Sequence, residues 1–287
     1  MANATPRGNT LLSIWNWTAV LLVSIVGFFI QLLLWLVTIF DRNRRLPGRW
    51  YRIMGYSAAA IGGSWRFSVV GPLPASPPRR AVVVSNHQSQ ADPFLISRLP
   101  WEMKWLGKKS LFRIPFVGWC MWLAGDIPLV RGDRGSAKGA MDLCATYLQR
   151  DMPVMIFPEG TRSRDRRLLP FKSGAFRLAI ENQADVLPVA VAGTHYALPK
   201  GSWKVGRSRG VVVVGEPIST VGMTLDDVDR LSEMARTRIE ELRLRAIPHS
   251  SEAGEPLPFD EPAASAQPAD AQHVAAQHVD ADAAAGA

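Results

Sequence analysis

The chain is poor in cysteine: among 287 residues only Cys120 and Cys144 occur. Two thiols without metal-ligand spacing exclude a disulfide framework and fit a reducing compartment, and both read as small apolar fillers. Charge is missing altogether from residues 11–40. That gap is too long for a secretory leader, has only Arg7 before it and is followed by no small-residue cleavage pattern, so the segment is expected to stay on the chain. Lys and Arg are missing from residues 250–287, which hold seven acidic side chains; the rest then carries 33 basic against 18 acidic residues, a net +15. No nucleic-acid recognition module and no basic stripe interleaved with stacking aromatics accompanies this charge, which argues against a nucleic-acid partner. A membrane surface and an anionic substrate explain it more simply.

Hydrophobic residues make up 47% of the chain, with 10 tryptophans, and the excess lies in residues 11–40. A bilayer span needs about 20 apolar residues, so this segment is long enough to cross with tilt or to lie along the surface. Arg42, Arg44, Arg45, Arg49 and Arg52 follow it. Such a cluster belongs on the cytoplasmic side and suits anionic head groups, which predicts an active site on the cytoplasmic face of the membrane. Residues 51–65, between Trp50 and Trp65, read as a second helix folded back in the interface or as an ordinary buried helix. Residues 114–130 are apolar too, but Pro115, Gly118, Gly125, Asp126 and Pro128 argue for packing rather than spanning. The aromatic residues 112–122 would hold a sheet edge at the membrane.

A proline-rich connector, residues 71–80, precedes the catalytic part. Apolar runs at 81–84, 154–157, 186–191 and 211–214 read as strands; 133–150 and 173–183 read as helices. Thr224 with Asp227 opens another helix reaching about Arg245. This alternation predicts an α/β fold with a mainly parallel sheet flanked by helices. The expected division is a membrane-anchoring region at 1–70, a catalytic domain at 71–249 and a tail at 250–287. The tail has no apolar period and is expected to be disordered, with His273 and His278, in a repeated Ala-Gln-His-Val unit, read as part of a solvated linker.

Two blocks close strand-like runs and carry the chemistry: Asn86-His87-Gln88-Ser89-Gln90-Ala91-Asp92 and Phe157-Pro158-Glu159-Gly160-Thr161-Arg162-Ser163. Histidine suits proton removal from an alcohol when its second ring nitrogen is held by a partner, and Asp92, five residues on, can be that partner if the strand turns into a helix. In the second block Gly160 permits close backbone approach, Thr161 supplies a hydroxyl and Arg162 a forked donor for phosphate oxygens. That reads as a phosphate site, and because Arg164, Arg166 and Arg167 prolong the charge, the alternative for this block alone is a turn with a solvated charge run.

With Gly125-Asp126-Ile127-Pro128-Leu129-Val130-Arg131 between these blocks and Val186-Leu187-Pro188-Val189-Ala190-Val191 after them, the chain resembles the glycerolipid acyltransferase family, and within it the 1-acyl-sn-glycerol-3-phosphate acyltransferases. Phe171-Lys172-Ser173-Gly174-Ala175-Phe176 adds to the likeness, which covers about residues 80–195. The resemblance implies His87 as general base and Asp92 as the residue that orients it. It implies Glu159, Gly160, Thr161 and Arg162 as the acceptor phosphate site, assisted by Arg131 and by a lysine matching Lys108, with Lys104 and Lys109 as neighbours that compete for that match. Pro188 would be structural or touch the acyl donor. The implied substrates are lysophosphatidic acid and an acyl thioester of coenzyme A or acyl carrier protein, met at the bilayer, with no metal or cofactor required. Another lysolipid acceptor, such as a lyso-ornithine lipid, uses the same machinery. A non-catalytic anchored protein has no need of the His87 and Asp92 pair, and the hydrolase reading is lowered because no Gly-x-Ser-x-Gly nucleophile elbow is read in the chain.

Overall fold

The structure, a computed structural model, describes residues 9–74 and 79–253. A seven-stranded sheet forms its middle, in the order β1-β7-β6-β2-β5-β3-β4. The strands are β1 (Trp65–Val69), β2 (Ala81–Ser85), β3 (Lys104–Lys108), β4 (Ile127–Leu129), β5 (Val154–Ile156), β6 (Asp185–Ala192) and β7 (Ser208–Val214). All neighbours run parallel except β6 and β7. β2 is bonded on both sides and buried along its whole length, the setting in which an unbroken Val run is expected.

Side chains alternate between two cores because the strand repeat is two residues. Val82, Val84, Val154 and Ile156 face α5 (Arg134–Leu148), α6 (Gly174–Glu181) and α8 (Val228–Ala246). Val83, Met155, Leu187 and Val212 face the other way, against Leu95 and Ile96 of α3 (Asp92–Ile96) and against Trp101 and Met103. Each fully buried aliphatic side chain contributes roughly 1.5–3 kcal/mol, so the two layers pin the strand register. The short α7 (Thr194–Ala197) follows β6.

α1 (Thr10–Val37) opens on Asn9, whose side chain accepts the Leu12 N–H at 3.2 Å. It packs against α2 (Arg45–Gly62) and α4 (Val117–Ala124). Its buried face is small or polar, with Ser13, Asn16, Ala19, Ser24, Gly27 and Gln31, while Leu11, Trp15, Leu22, Val26, Phe29 and Leu33 point outward. That is the reverse of a helix in a water-soluble core. At 1.5 Å per residue it is about 42 Å long, and among the described residues it is the one helix long and apolar enough to cross a membrane. Phe28 meets Phe116 and Trp119, whose neighbours Ile114 and Trp122 are exposed, so the apolar surface continues onto α4.

Several expected boundaries move. β1 lies before residue 71 yet pairs with β7, so the sheet draws on the segment assigned to the anchor. The second helix is α2, and Trp65 belongs to β1. The Arg42 to Arg52 cluster splits: Arg42 and Arg45 are exposed, Arg49 donates to the Leu99 carbonyl at 2.7 Å, and Arg52 is buried in an ion pair with Asp126. Past residue 249 the chain is still folded: Ser250 is buried, Ser251 exchanges hydrogen bonds with Arg209 in β7, and Glu252 accepts the Gly193 N–H at 2.7 Å. His273, His278 and the rest of the tail lie outside the described residues, as do residues 75–78 of the connector.

Candidate active site

β2, β5, β3 and β4 are adjacent and parallel, so their C-terminal ends open at one edge of the sheet. His87 follows β2, Glu159 to Arg162 follow β5, Lys108 ends β3 and Arg131 follows β4. With strands about 4.8 Å apart, every expected site residue falls along roughly 15 Å of that edge, where open α/β sheets bind ligands.

The turn from β2 into α3 makes the base. Asp92 starts α3 with Pro93 behind it, and is fully buried. Its Oδ2 is 2.7 Å from His87 Nδ1 and accepts the backbone N–H groups of Gln88 at 2.8 Å and Ser89 at 2.9 Å. Its Oδ1 accepts the Thr194 hydroxyl. Four donors on one carboxylate make its burial tolerable and fix it in place. With Nδ1–H given to Asp92, Nε2 carries the lone pair that can take a proton. The ring stacks on Phe157 at 4.0 Å between centroids and is 11% exposed, enough to meet a substrate and too little to swing freely. Asn86, just before it, clamps the end of β6: its amide donates to the Val191 carbonyl at 2.9 Å and accepts the Val191 N–H at 2.8 Å.

Glu159 is placed behind this loop. Its Oε1 accepts the His87 N–H at 2.8 Å and its Oε2 the Leu169 N–H at 3.2 Å. Burial pushes its carboxyl up to about 7, against the pull of those two N–H groups. Both oxygens are engaged with backbone, so Glu159 holds the base loop rather than facing the open edge. Ser163 N–H donates to the His87 carbonyl at 2.8 Å, a second tie between the two blocks.

Gly160 has φ +65°, a left-handed backbone that strains any other residue, so the block needs glycine for its backbone; a Cβ there would meet only the flexible end of Lys172. Thr161 and Arg162 are part-exposed. Arg162 Nη1 is buried without a hydrogen-bond partner among the described residues. Burial pushes this guanidinium down from its usual range, Asp92 pulls it back up, and Arg131 adds a smaller downward push. An orphaned donor beside a second cation is a place for an anion. Arg131, Lys108 and Lys109 are exposed on the same edge, whereas Lys104 begins β3 and is buried at the far end, bonded to Glu102 at 2.9 Å and to the Ala124 carbonyl at 2.7 Å. That location removes Lys104 from the competition with Lys108. Pro188 sits inside β6, opposite Val84, and its carbonyl accepts the Gly215 N–H.

Sequence reasoning missed Thr194, Phe157 as the floor of the ring, and the ammonium of Lys200, which donates to Thr161 Oγ1 at 3.1 Å. Phe157 opens the second block but its stacking on His87 has no local signal, and Thr194 and Lys200 reach the site across the sheet edge. The chain does contain a Gly-x-Ser-x-Gly string, Gly206 to Gly210. It is no nucleophile elbow: Ser208 begins β7 instead of ending a strand, is buried, and gives its hydroxyl to the Gly193 carbonyl at 2.7 Å.

A family model described as Acyltransferase matches residues 66–192. The chain is similar to the 1-acyl-sn-glycerol-3-phosphate acyltransferase of Haemophilus influenzae, 37% identical over 170 residues, covering 57% of this chain and 70% of that one. A 1-acyl-sn-glycerol-3-phosphate acyltransferase of Chlamydomonas reinhardtii is 34% identical over 180 residues, 62% of this chain and 54% of its own. The chain thus spans about half the length of that relative. Among solved structures, the 1-acyl-sn-glycerophosphate acyltransferase of Thermotoga maritima superposes with a TM-score of 0.65 at 26% identity, over 82% of this chain and 95% of that one.

Proposed function

Because the chain belongs to the acyltransferase family, we propose that it transfers an acyl chain from an acyl thioester to the free hydroxyl of 1-acyl-sn-glycerol 3-phosphate, giving phosphatidic acid. The observation that carries this reading is the pairing, on one sheet edge, of the Asp92-held His87 with the unpartnered Arg162 donor. One feature activates a hydroxyl and the other receives the anion next to it. His87 Nε2 takes the hydroxyl proton as the oxygen attacks the thioester carbonyl; Asp92 stabilises the imidazolium that forms. The tetrahedral intermediate collapses with cleavage of the C–S bond, and His87 returns its proton to the departing thiolate. Arg162, with Thr161 next to it and Arg131 and Lys108 on the same edge, holds the phosphate so that the hydroxyl lies near the base, which turns a bimolecular step into an oriented one. The outward apolar face of α1, continued by Trp119 and Trp122, supports membrane attachment where both lipids reside, with the site on the cytoplasmic face. The donor carrier in this reading is coenzyme A or acyl carrier protein.

The test is transfer by the purified chain in detergent, with lysophosphatidic acid, lyso-ornithine lipid and neutral or zwitterionic lysolipids as acceptors and both thioesters as donors, products being identified by mass spectrometry. Transfer to lysophosphatidic acid well above a His87→Ala blank is expected. Faster transfer to an acceptor without phosphate would overturn the assignment. Arg162→Ala should raise the acceptor KM about 10–100-fold, as loss of a charged hydrogen-bonding group does, and leave the donor KM nearly unchanged; Arg162→Lys should recover only part, because an ammonium lacks the planar fork.

A further inference from the structure

The segment that follows β6 reaches the site at four points. Thr194 donates to Asp92, the Leu198 carbonyl accepts the Ser89 hydroxyl at 2.8 Å, and Tyr196 Oη accepts Arg166 Nη1 at 2.6 Å. The fourth point is Lys200, whose Nζ donates to Thr161 Oγ1 at 3.1 Å and to the Arg162 carbonyl at 2.8 Å. Farther on, the same segment is tied to α1, the Trp203 carbonyl accepting Trp17 Nε1 and the Val205 N–H donating to Ser13 Oγ, both at 2.8 Å.

Lys200 is part-exposed, and no carboxylate of the described residues pairs with it within 4.0 Å. Two of its three N–H donors are engaged by uncharged oxygens, so its positive charge is uncompensated beside Arg162. The hydroxyl of Thr161 accepts from Lys200, which leaves its own O–H to donate elsewhere. The Arg162 carbonyl is pinned by the same ammonium, which fixes the peptide from which the guanidinium extends.

We propose that Lys200 is a positioning and specificity-determining residue for the phosphate end of the acceptor. Its ammonium holds the Thr161 and Arg162 turn so that the Thr161 hydroxyl and the Arg162 guanidinium face the incoming anion. The inference rests on the reading that the acceptor carries a phosphate, and it adds a residue outside the four blocks that carry the family resemblance.

The experiment uses the full chain in detergent. Initial rates are measured against lysophosphatidic acid at saturating acyl-CoA, and conversely, for the parent, Lys200→Met and Lys200→Arg, with the thermal midpoint of each. Lys200→Met is expected to raise the acceptor KM about 10–100-fold, the range for a charged hydrogen-bonding group, with kcat and donor KM within about threefold. Lys200→Arg should restore part of the loss. Combined with Thr161→Val, Lys200→Met should cost less than the product of the two single effects, because both act on one hydroxyl. An unchanged acceptor KM, an equal rise in both KM values, or a fall in kcat alone overturns the proposal. Lys200→Gln replaces Lys200→Met if the midpoint falls. A parent inactive on lysophosphatidic acid sinks the underlying reading instead. Lys200 is then judged by binding of inorganic phosphate followed through tryptophan fluorescence, where weakened binding in the variant upholds the proposal and unchanged binding overturns it.

Discussion

Two groups of charged side chains sit at opposite ends of the same strands, and they differ in balance. At the N-terminal end of β3 and β4, Arg52 from α2 pairs with Asp126 and lies 3.8 Å from Glu102, and Glu102 bonds Lys104 at 2.9 Å. Two cations answer two anions in a buried group that clamps the helical hairpin onto the sheet. At the C-terminal end, Arg162, Arg131 and Lys108 share the edge with Lys200, which bonds Thr161, and with two carboxylates already committed, Asp92 to His87 and Glu159 to backbone N–H groups. Here cations exceed anions and a guanidinium donor stands unanswered. Burial of charge alone therefore does not mark a site. A neutral cluster is a fastener, and an unbalanced one awaits a ligand.

The contrast breaks most sharply at His87. His87→Ala should lower turnover by about 10²–10⁴ with the thermal midpoint nearly unchanged, because the ring serves chemistry and Asp92 keeps three of its four donors. A comparable loss of stability would put His87 on the fastening side of the comparison. The opposite outcome is expected at the other end: Arg52→Ala, which leaves buried Asp126 without its paired cation, should cost about 3–5 kcal/mol in chemical denaturation while the folded fraction keeps its KM for both substrates.

Glu159 sharpens the comparison, since it is a buried acid within the cationic edge. Its carboxyl, pushed up from 4.5 to about 7, binds a proton in the folded state more readily than in the unfolded one. Its penalty on stability is absent below about pH 4.5 and complete above about pH 7, so it destabilises as pH rises, by about 3 kcal/mol across that window. Glu159→Gln should flatten this dependence relative to the parent when unfolding is followed from pH 4.5 to 8. Identical slopes in the two proteins would remove Glu159 as the source.

The smallest effect is expected at the chain's end. Removing residues 254–287, polar and without apolar period, should leave the midpoint and turnover within error. Removing residues 250–287 should cost about 1–3 kcal/mol, because the hydrogen bonds of Ser251 and Glu252 to Arg209 and Gly193 go with it.

Local pattern was enough for the α/β class, for β2, β5, β6 and β7, for the helices α5, α6 and α8, and for the His87 and Asp92 pair, because strand runs, helix periods and a turn of five residues are all written in contiguous sequence. β1, β3 and β4 escaped it. β1 is a short edge strand with an exposed Arg66, β3 begins with a lysine, and β4 has three residues with a proline in the middle. Arg52 reads as a head-group ligand in sequence and becomes a core ion once α2 folds over the sheet.

Sequence by itself determined which residues could act as base, orienter and anion donor, since those capacities belong to the side chains. Tertiary structure alone decided which of them act together. The order β1-β7-β6-β2-β5-β3-β4 brings β2, β5, β3 and β4 to one edge, turns β7 back so that the segment before it meets the base loop, and sends Lys104 to the far end. Thr194 and Lys200 become site residues only through that arrangement, because a hydrogen bond depends on distance in space and no local pattern encodes contacts across 102 and 39 residues.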